Sequence, residues 1–381
     1  MYNFSALLLM LWTWQAPDWP NFRYQASELE DLEDRFLHQS GVFRGSIAHV
    51  QSDDKAQLTV QWIAEEAHQT SEIEGELLNR DSLQSSIRRH FGLTTDHRRI
   101  PPAEAGIAEM MMELYQGHAA PLSNERLFSW HRSLTHGRRD LREVGCYRSG
   151  GDPMQVVSGS IHEPKIHFEA PPAASMPAEM EAFLAWFTRT APGAETPLPT
   201  LTRAGIAHLY FVTIHPFEDG NGRIARALAG KAIAENLGHP ALVPLSQTIN
   251  RARKEYYARL QQSNHGLEIT PWLRYFAQLV LDAQALAQAD VEFLITKTRF
   301  FDLHRGQFNT RQEKVLMRMF QEGPAGFTGG LSAEKYIRIT STSRPTATRD
   351  LHDLMDKSAL YRTGQLKGTR YHLQPPMNEK L

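Results

Sequence analysis

Twelve consecutive residues of this chain are denser in chemistry than any other stretch: His215-Pro216-Phe217-Glu218-Asp219-Gly220-Asn221-Gly222-Arg223-Ile224-Ala225-Arg226. A histidine can take the proton of an attacking hydroxyl. A hard carboxylate can hold a magnesium ion that bridges phosphates. Two arginines offer planar forks that match phosphate oxygens. Together these are the parts needed to grip a nucleoside triphosphate and let a hydroxyl attack it. Each part alone is ordinary, since a lone His before a turn or an Asp-Gly-Asn-Gly loop is common. Their fixed order carries the argument.

The flanking sequence predicts how these parts are held. Ala207 to Ile214 is mostly apolar and reads as a buried helix. Pro216 disfavours helical geometry at His215, so the chain leaves the helix there. Asp219-Gly220-Asn221-Gly222 is strong turn chemistry, because Gly and Asn tolerate positive φ. From Arg223 to Leu237 the chain is rich in Ala and Leu, and Gly238 followed by Pro240 stops the second helix. A glycine-rich turn feeding a helix N-terminus aims N–H groups and the positive dipole end at anions. Arg223 and Arg226 share a face of its first turn.

The string resembles the Fic family signature, His-x-Phe-x-(Asp/Glu)-Gly-Asn-Gly-Arg-x-x-Arg, and every specified position is matched. The resemblance implies a mainly α fold: a Fic-type helical core with a small β-hairpin flap. It also implies a protein adenylyltransferase that moves AMP from ATP, with Mg2+, to a Ser, Thr or Tyr hydroxyl of a target protein. In that reading His215 is the base and Asp219 the metal ligand. Asn221, with the amides of Gly220 and Gly222, holds the α- and β-phosphates, Arg223 supports the phosphates and Arg226 grips the γ-phosphate. Phe217 anchors the loop in the core.

A second segment bears on control. Lys55 to Glu74 reads as a helix, with Leu58, Trp62, Ile63 and Ala67 near one stripe and Gly75 as its cap. Glu74 in the last turn opposes the helix dipole and wants a cation. By itself the segment reads as a surface helix end. Thr70-x-x-x-Glu74-Gly75, however, resembles the Fic inhibitory motif, (Ser/Thr)-x-x-x-Glu-(Gly/Asn). That resemblance implies that Glu74 pairs with Arg226 and blocks productive seating of the γ-phosphate. In some members the same glutamate orients a water that removes AMP from the target, so de-adenylylation is a further expectation, with AMP release from a modified target as its signature.

Gly145 to Arg148 followed by Met154 to Val157 and, after a turn, Lys165 to Phe168 suggests two short strands, which the resemblance makes the flap beside the target's backbone. Ser246 to Tyr257 is similar to the family helix bordering the adenine, which makes Tyr256 and Tyr257 candidate base contacts; paired tyrosines on a helix also suit a core.

Composition sets the remaining bounds. The net charge of −2 makes no global case for nucleic acid or membrane. A single cysteine, Cys146, excludes an internal disulfide framework and suits a reducing cytoplasm. No Cys/His cluster has zinc spacing, with His131 and His136 five apart. Leu7 to Trp12 is too short to span a bilayer and lacks the marks of a secretory signal. The aromatic run from Trp12 to Tyr24 resembles the start of a helical domain preceding Fic cores, which makes Met10 a candidate start.

Three domains are expected: a helical one over 1–100 carrying the inhibitory helix (about 55–75), the Fic core over 101–295, and a last one over 296–381. In the last, Arg311 to Glu322, Ser332 to Ile339 and Ser343 to Lys357 read as helices. Leu360 to Arg362 and Arg370 to Leu373 read as a two-stranded wing. That order resembles a winged helix-turn-helix. Thr346, Thr348, Arg349, Arg362, Lys367 and Arg370 are candidates to meet DNA, whereas Glu334, Asp350, Asp353 and Asp356 count against it. Two other functions therefore stay open: a nucleotide-responsive DNA-binding regulator, and a transferase of another phosphate-containing group. The target is unidentified; self-modification and a homodimer are open.

Overall fold

The computed structural model describes residues 11–96, 98–160, 163–241, 243–323 and 327–374. The reading of residues 1–9 and Met10 lies outside them. The fold is mainly α, with two small hairpins among the described residues. Two compact units form: the chain up to Gly41 with Ala56–Ala285, and Val42–Lys55 with the chain from Leu286 on. The expected three-way division differs at two places. The segment carrying the inhibitory helix shares one core with the motif helices, and the line at residue 295 falls inside a continuous helix. No Pro or Gly occurs between Trp272 and Arg305 to break it.

The helices of the first part of the chain are α1 (Glu30–Ala48), α2 (Ser52–Ile73), α3 (Arg80–His90), α4 (Pro102–Gln116) and α5 (Asn124–Leu134). Their starts follow from capping chemistry. The Asn79 side chain accepts from Ser82 N, that of Ser123 from Arg126 N, and Pro102 occupies the first turn of α4. A hairpin follows, β1 (Gln155–Ser160) against β2 (Glu163–Glu169), antiparallel with a bulge between Val156 and Val157. Next come α6 (Met176–Arg189), α7 (Thr200–Ile214), α8 (Asn221–Leu237), α9 (Leu245–Arg251), α10 (Arg253–Gln262) and α11 (Thr270–Leu303).

Helices α7 and α8 pack together at the centre of the first unit, and nearly every residue of α7 is buried. A helix apolar all round belongs in a core rather than on a surface. Its N-terminus is satisfied from afar: the Glu33 carboxylate of α1 accepts from Leu201 N (3.0 Å), Thr202 N (2.8 Å) and Thr202 Oγ1 (2.9 Å). Phe36, Leu83, Trp130, Phe183, Phe211 and Trp272 belong to the surrounding core, each buried ring contributing about 1.5–3 kcal/mol or more. The loop joining α7 to α8 therefore hangs between two fixed rods.

In the second unit, α12 (Thr310–Gln321), α13 (Ala333–Thr340) and α14 (Arg344–Asp356) are followed by a hairpin, β3 (Leu360–Thr363) against β4 (Arg370–Leu373). Asn309 opens α12 with a capping box to Gln312, and Ser332 and Ser343 cap the next two helices. Phe300, Leu316, Tyr336, Leu351 and Leu360 form their own core. Among the described residues no helix is long and apolar enough to cross a membrane.

Candidate functional site

The site is the loop between α7 and α8, and its first residue is strained. His215 ends α7 with φ 53° and ψ 59°, in the left-handed region. For a residue with a Cβ that costs about 1–2 kcal/mol, and Pro216 disfavours the right-handed alternative. Arg148 holds the kink. Its N–H donates to Pro216 O (2.9 Å), its Nε to His215 O (2.8 Å), and its Nη2 to Pro171 O just beyond β2. The guanidinium is buried and its hydrogen bonds go to carbonyls. Arg148→Ala should leave these carbonyls unsatisfied and lower stability by about 2–4 kcal/mol. Urea unfolding checks this, and a change below about 0.5 kcal/mol would contradict it.

The imidazole has the protonation state that a base requires. Its Nδ1 lies 3.2 Å from Val212 O. A carbonyl only accepts, so the proton is assigned to Nδ1 and the Nε2 lone pair is left open. Burial pushes the His215 pKa down to about 4, with the nearby Arg148 charge adding to the effect against the Val212 hydrogen bond. The ring is neutral at pH 7.

Phe217 anchors the loop. It is fully buried and stacked on His131, with centroids 4.2 Å apart and 9° between planes. Asn221 locks the turn from inside: its Oδ1 accepts from Phe217 N (3.0 Å) and its Nδ2 donates to Phe217 O (2.8 Å). These bonds use Oδ1 and one of the two Nδ2 protons of Asn221. Gly220, at φ 81°, starts α8, whose first N–H groups lack intrahelical acceptors. Glu218 braces the other side by accepting from the N–H groups of Arg142 (2.8 Å) and Glu143 (2.9 Å).

Asp219 accepts from Gly220 N (2.6 Å) and pairs with Arg138 Nη1 at 2.7 Å. Burial pushes its carboxyl up, but Arg223, the Gly220 N–H and Arg138 outweigh that and hold it below the usual value. It stays an anionic oxygen group. Magnesium takes one or two carboxylates when phosphates supply other oxygens, so a single Asp fits that role.

Both arginines of the motif are occupied by carboxylates from the end of α2. Arg226 is almost fully buried and donates to Thr70 Oγ1 (2.7 Å), Thr70 O (2.9 Å) and Glu74 Oε1 (2.7 Å). Burial opposes its charge, but Glu74 outweighs this and raises its pKa. Arg223 pairs with Glu76 at 2.6 Å and with Asp219 at 3.6 Å. Gly222 makes room for this arrangement, since a Cβ there would collide with the Glu74 carboxylate. Gly75, at φ 85°, turns the chain so that Glu74 and Glu76 both reach α8.

The two tyrosines separate. Tyr256 is a core residue, 1% exposed with its hydroxyl 3.0 Å from His208 Nε2. It offers no surface to a base, which corrects that candidate. Tyr257 is 41% exposed, donates to Ile73 O and lies under Arg253. Successive helical residues point about 100° apart, so one of a pair is buried when the other is not.

Residues 121–232 match the family model described as Fic/DOC family. The chain carries a Fic domain over these residues. Upstream of the Fic segment, residues 12–93 match a domain of unknown function (DUF4172). The protein adenylyltransferase Fic of Nematostella vectensis is 38% identical over 148 residues, 39% of this chain and 30% of the relative. The protein adenylyltransferase fic-1 of Caenorhabditis briggsae is 28% identical over 215 residues, 55% of this chain and 38% of the relative. The match thus spans about a third of these relatives' length. A solved Fic family protein from Desulfovibrio desulfuricans shares the fold, with TM-score 0.51 and 21% identity over 90% of this chain and 95% of that one.

Sequence reasoning located the Fic motif and Glu74 but missed Glu76, Arg138 and Arg148. Glu76 carried a readable signal, an acid in the same turn as Glu74. Arg138 and Arg148 carried none, because their partners lie 81 and 67 residues away.

Proposed function

We propose that this Fic protein is a self-restrained protein adenylyltransferase using ATP and magnesium. The observation that carries the reading is the neutral His215 beside an anion-ready helix start whose two arginines are plugged by Glu74 and Glu76. In the reaction, a hydroxyl oxygen of the target attacks the α-phosphorus of ATP. The bond from that phosphorus to the oxygen bridging the β-phosphate breaks, and pyrophosphate leaves. His215 Nε2 takes the hydroxyl proton. Asp219 would hold the magnesium ion, which neutralises phosphate charge when bound. The open N–H groups at the start of α8 and the Arg223 guanidinium would cradle the phosphates, with Asn221 fixing the turn that presents them. Arg226 would reach the γ-phosphate once Glu74 withdraws. Tyr257 would border the adenine.

The hairpin β1–β2 would present the target. It is two-stranded and exposes Val156, Val157 and Ile166, which suits an extended segment added along its edge.

Intact-mass measurement of purified protein incubated with ATP and magnesium tests the reading. Slow addition of AMP is expected, and ATP labelled at the α-phosphate should carry its label onto protein. Label carried instead from the γ-phosphate, or equal transfer from every nucleotide, would overturn adenylyl transfer.

A further inference from the structure

Nucleotide chemistry leaves the module from α12 to β4 unused, and its charge is not that of the whole chain. Residues 286–374 hold fourteen Lys and Arg against nine Asp and Glu, an excess of five positive charges in a chain of net charge −2. The fold sorts the acids further. Asp350 turns inward, where it is buried and bonded to Arg311 (2.8 Å), Tyr336 Oη (2.9 Å) and Asn309 (3.2 Å). Asp353 accepts from Gln312 and Lys357, and Glu334 is taken by Arg344. Asp356 sits at the far C-terminal end of α14. The acids that count against DNA in the sequence are thus neutralised or remote.

The outward groups are of another kind. Helix α14 buries Ala347, Asp350, Leu351 and Leu354 and exposes Arg344, Thr348, Arg349 and His352. Helix α13 precedes it across a tight turn in which Ser341 is left-handed, at φ 55°. The β3–β4 hairpin exposes Arg362 and Lys367, with Leu366 raised at its tip, 93% exposed. Among the described residues, Arg349, Arg362 and Lys367 have no carboxylate partner.

We propose that α13, α14 and the β3–β4 hairpin form a winged helix-turn-helix that binds duplex DNA, with the outer face of α14 in the major groove and the hairpin on the adjacent backbone. An α-helix fits a groove about 12 Å wide. Thr348, Arg349 and His352 face base edges, while Arg362, Lys367 and Arg370 meet phosphates. Leu366 is the kind of apolar tip that enters a minor groove.

Fluorescence anisotropy of the full chain with a labelled mixed-sequence duplex of about 30 base pairs in about 50 mM salt tests this. Saturable binding is expected, with a log–log salt slope of about −3 to −4. Arg349→Ala combined with Lys367→Ala changes two exposed side chains and should weaken binding at least about tenfold and flatten the slope by about one, the share of the Lys367 phosphate contact. His215→Ala should bind as wild type, so this result is independent of AMP transfer. Absent binding, affinity unchanged in the double variant, or equal competition by heparin would each overturn the proposal, as would capture of a protein partner by this face without DNA binding.

Discussion

Replacing Glu74 with glycine is expected to raise AMP transfer about ten- to hundredfold. The Glu74 carboxylate holds Arg226 at 2.7 Å, in a site where the guanidinium is almost wholly buried. A charge-assisted hydrogen bond there is worth about 1.5–3 kcal/mol, and each 1.4 kcal/mol is about a factor of ten. Removing it frees the arginine that, in the proposed reaction, would grip the γ-phosphate. Arg226 stays in place because Thr70 still accepts from its Nε and Nη2. Glu76→Ala should act in the same direction but only about two- to fivefold, because a more exposed pair is worth about 0.2–1 kcal/mol. Time courses of α-labelled ATP incorporation check both. Less than about a twofold rise in Glu74→Gly would mean that the carboxylate does not restrain the site.

In the Glu74→Gly background, His215→Ala is expected to lower transfer about 10²–10⁴-fold, the usual worth of a positioned base. ATP affinity should be nearly unchanged, because the arginines and the start of α8 remain. The pH profile separates this role from a structural one. The His215 pKa is lowered to about 4 by burial, with Arg148 beside it. The imidazole is therefore neutral and able to accept a proton above that value, and protonated and inactive below it. kcat/KM of Glu74→Gly should stay level from about pH 6 to 8 and fall only as the pH drops to about 4 or below, because the Glu74 charge that raises the His215 pKa is gone. Half-loss near pH 6.5, the value of an unperturbed histidine, would show that the ring is not a buried, neutral base.

What is local in this protein was legible in its sequence. The break at His215 follows from Pro216, the turn from Gly220 and Gly222, and the stop of α8 from Gly238, all within a few residues of the effect. The strands of the hairpin and the three helices of the last module follow from short-range periodicity and capping residues for the same reason. The functional order of twelve residues was readable because chain neighbours stay neighbours in space.

What depends on long-range contact was decided only by the tertiary structure. Glu74 and Glu76 meet their arginines across 152 and 147 residues, and no spacing rule encodes that match. Arg148 supports His215 from outside the motif. Tyr256 and Tyr257 are equivalent in sequence, yet only packing against His208 buries the first. Asp350 and Asp353 look like acids on a recognition helix until Arg311, Gln312 and Lys357 are brought to them. Periodicity says which face of an element is apolar. Which partner each polar group finds is set by the packing of whole elements, since a buried charge is stable only where the fold delivers its complement.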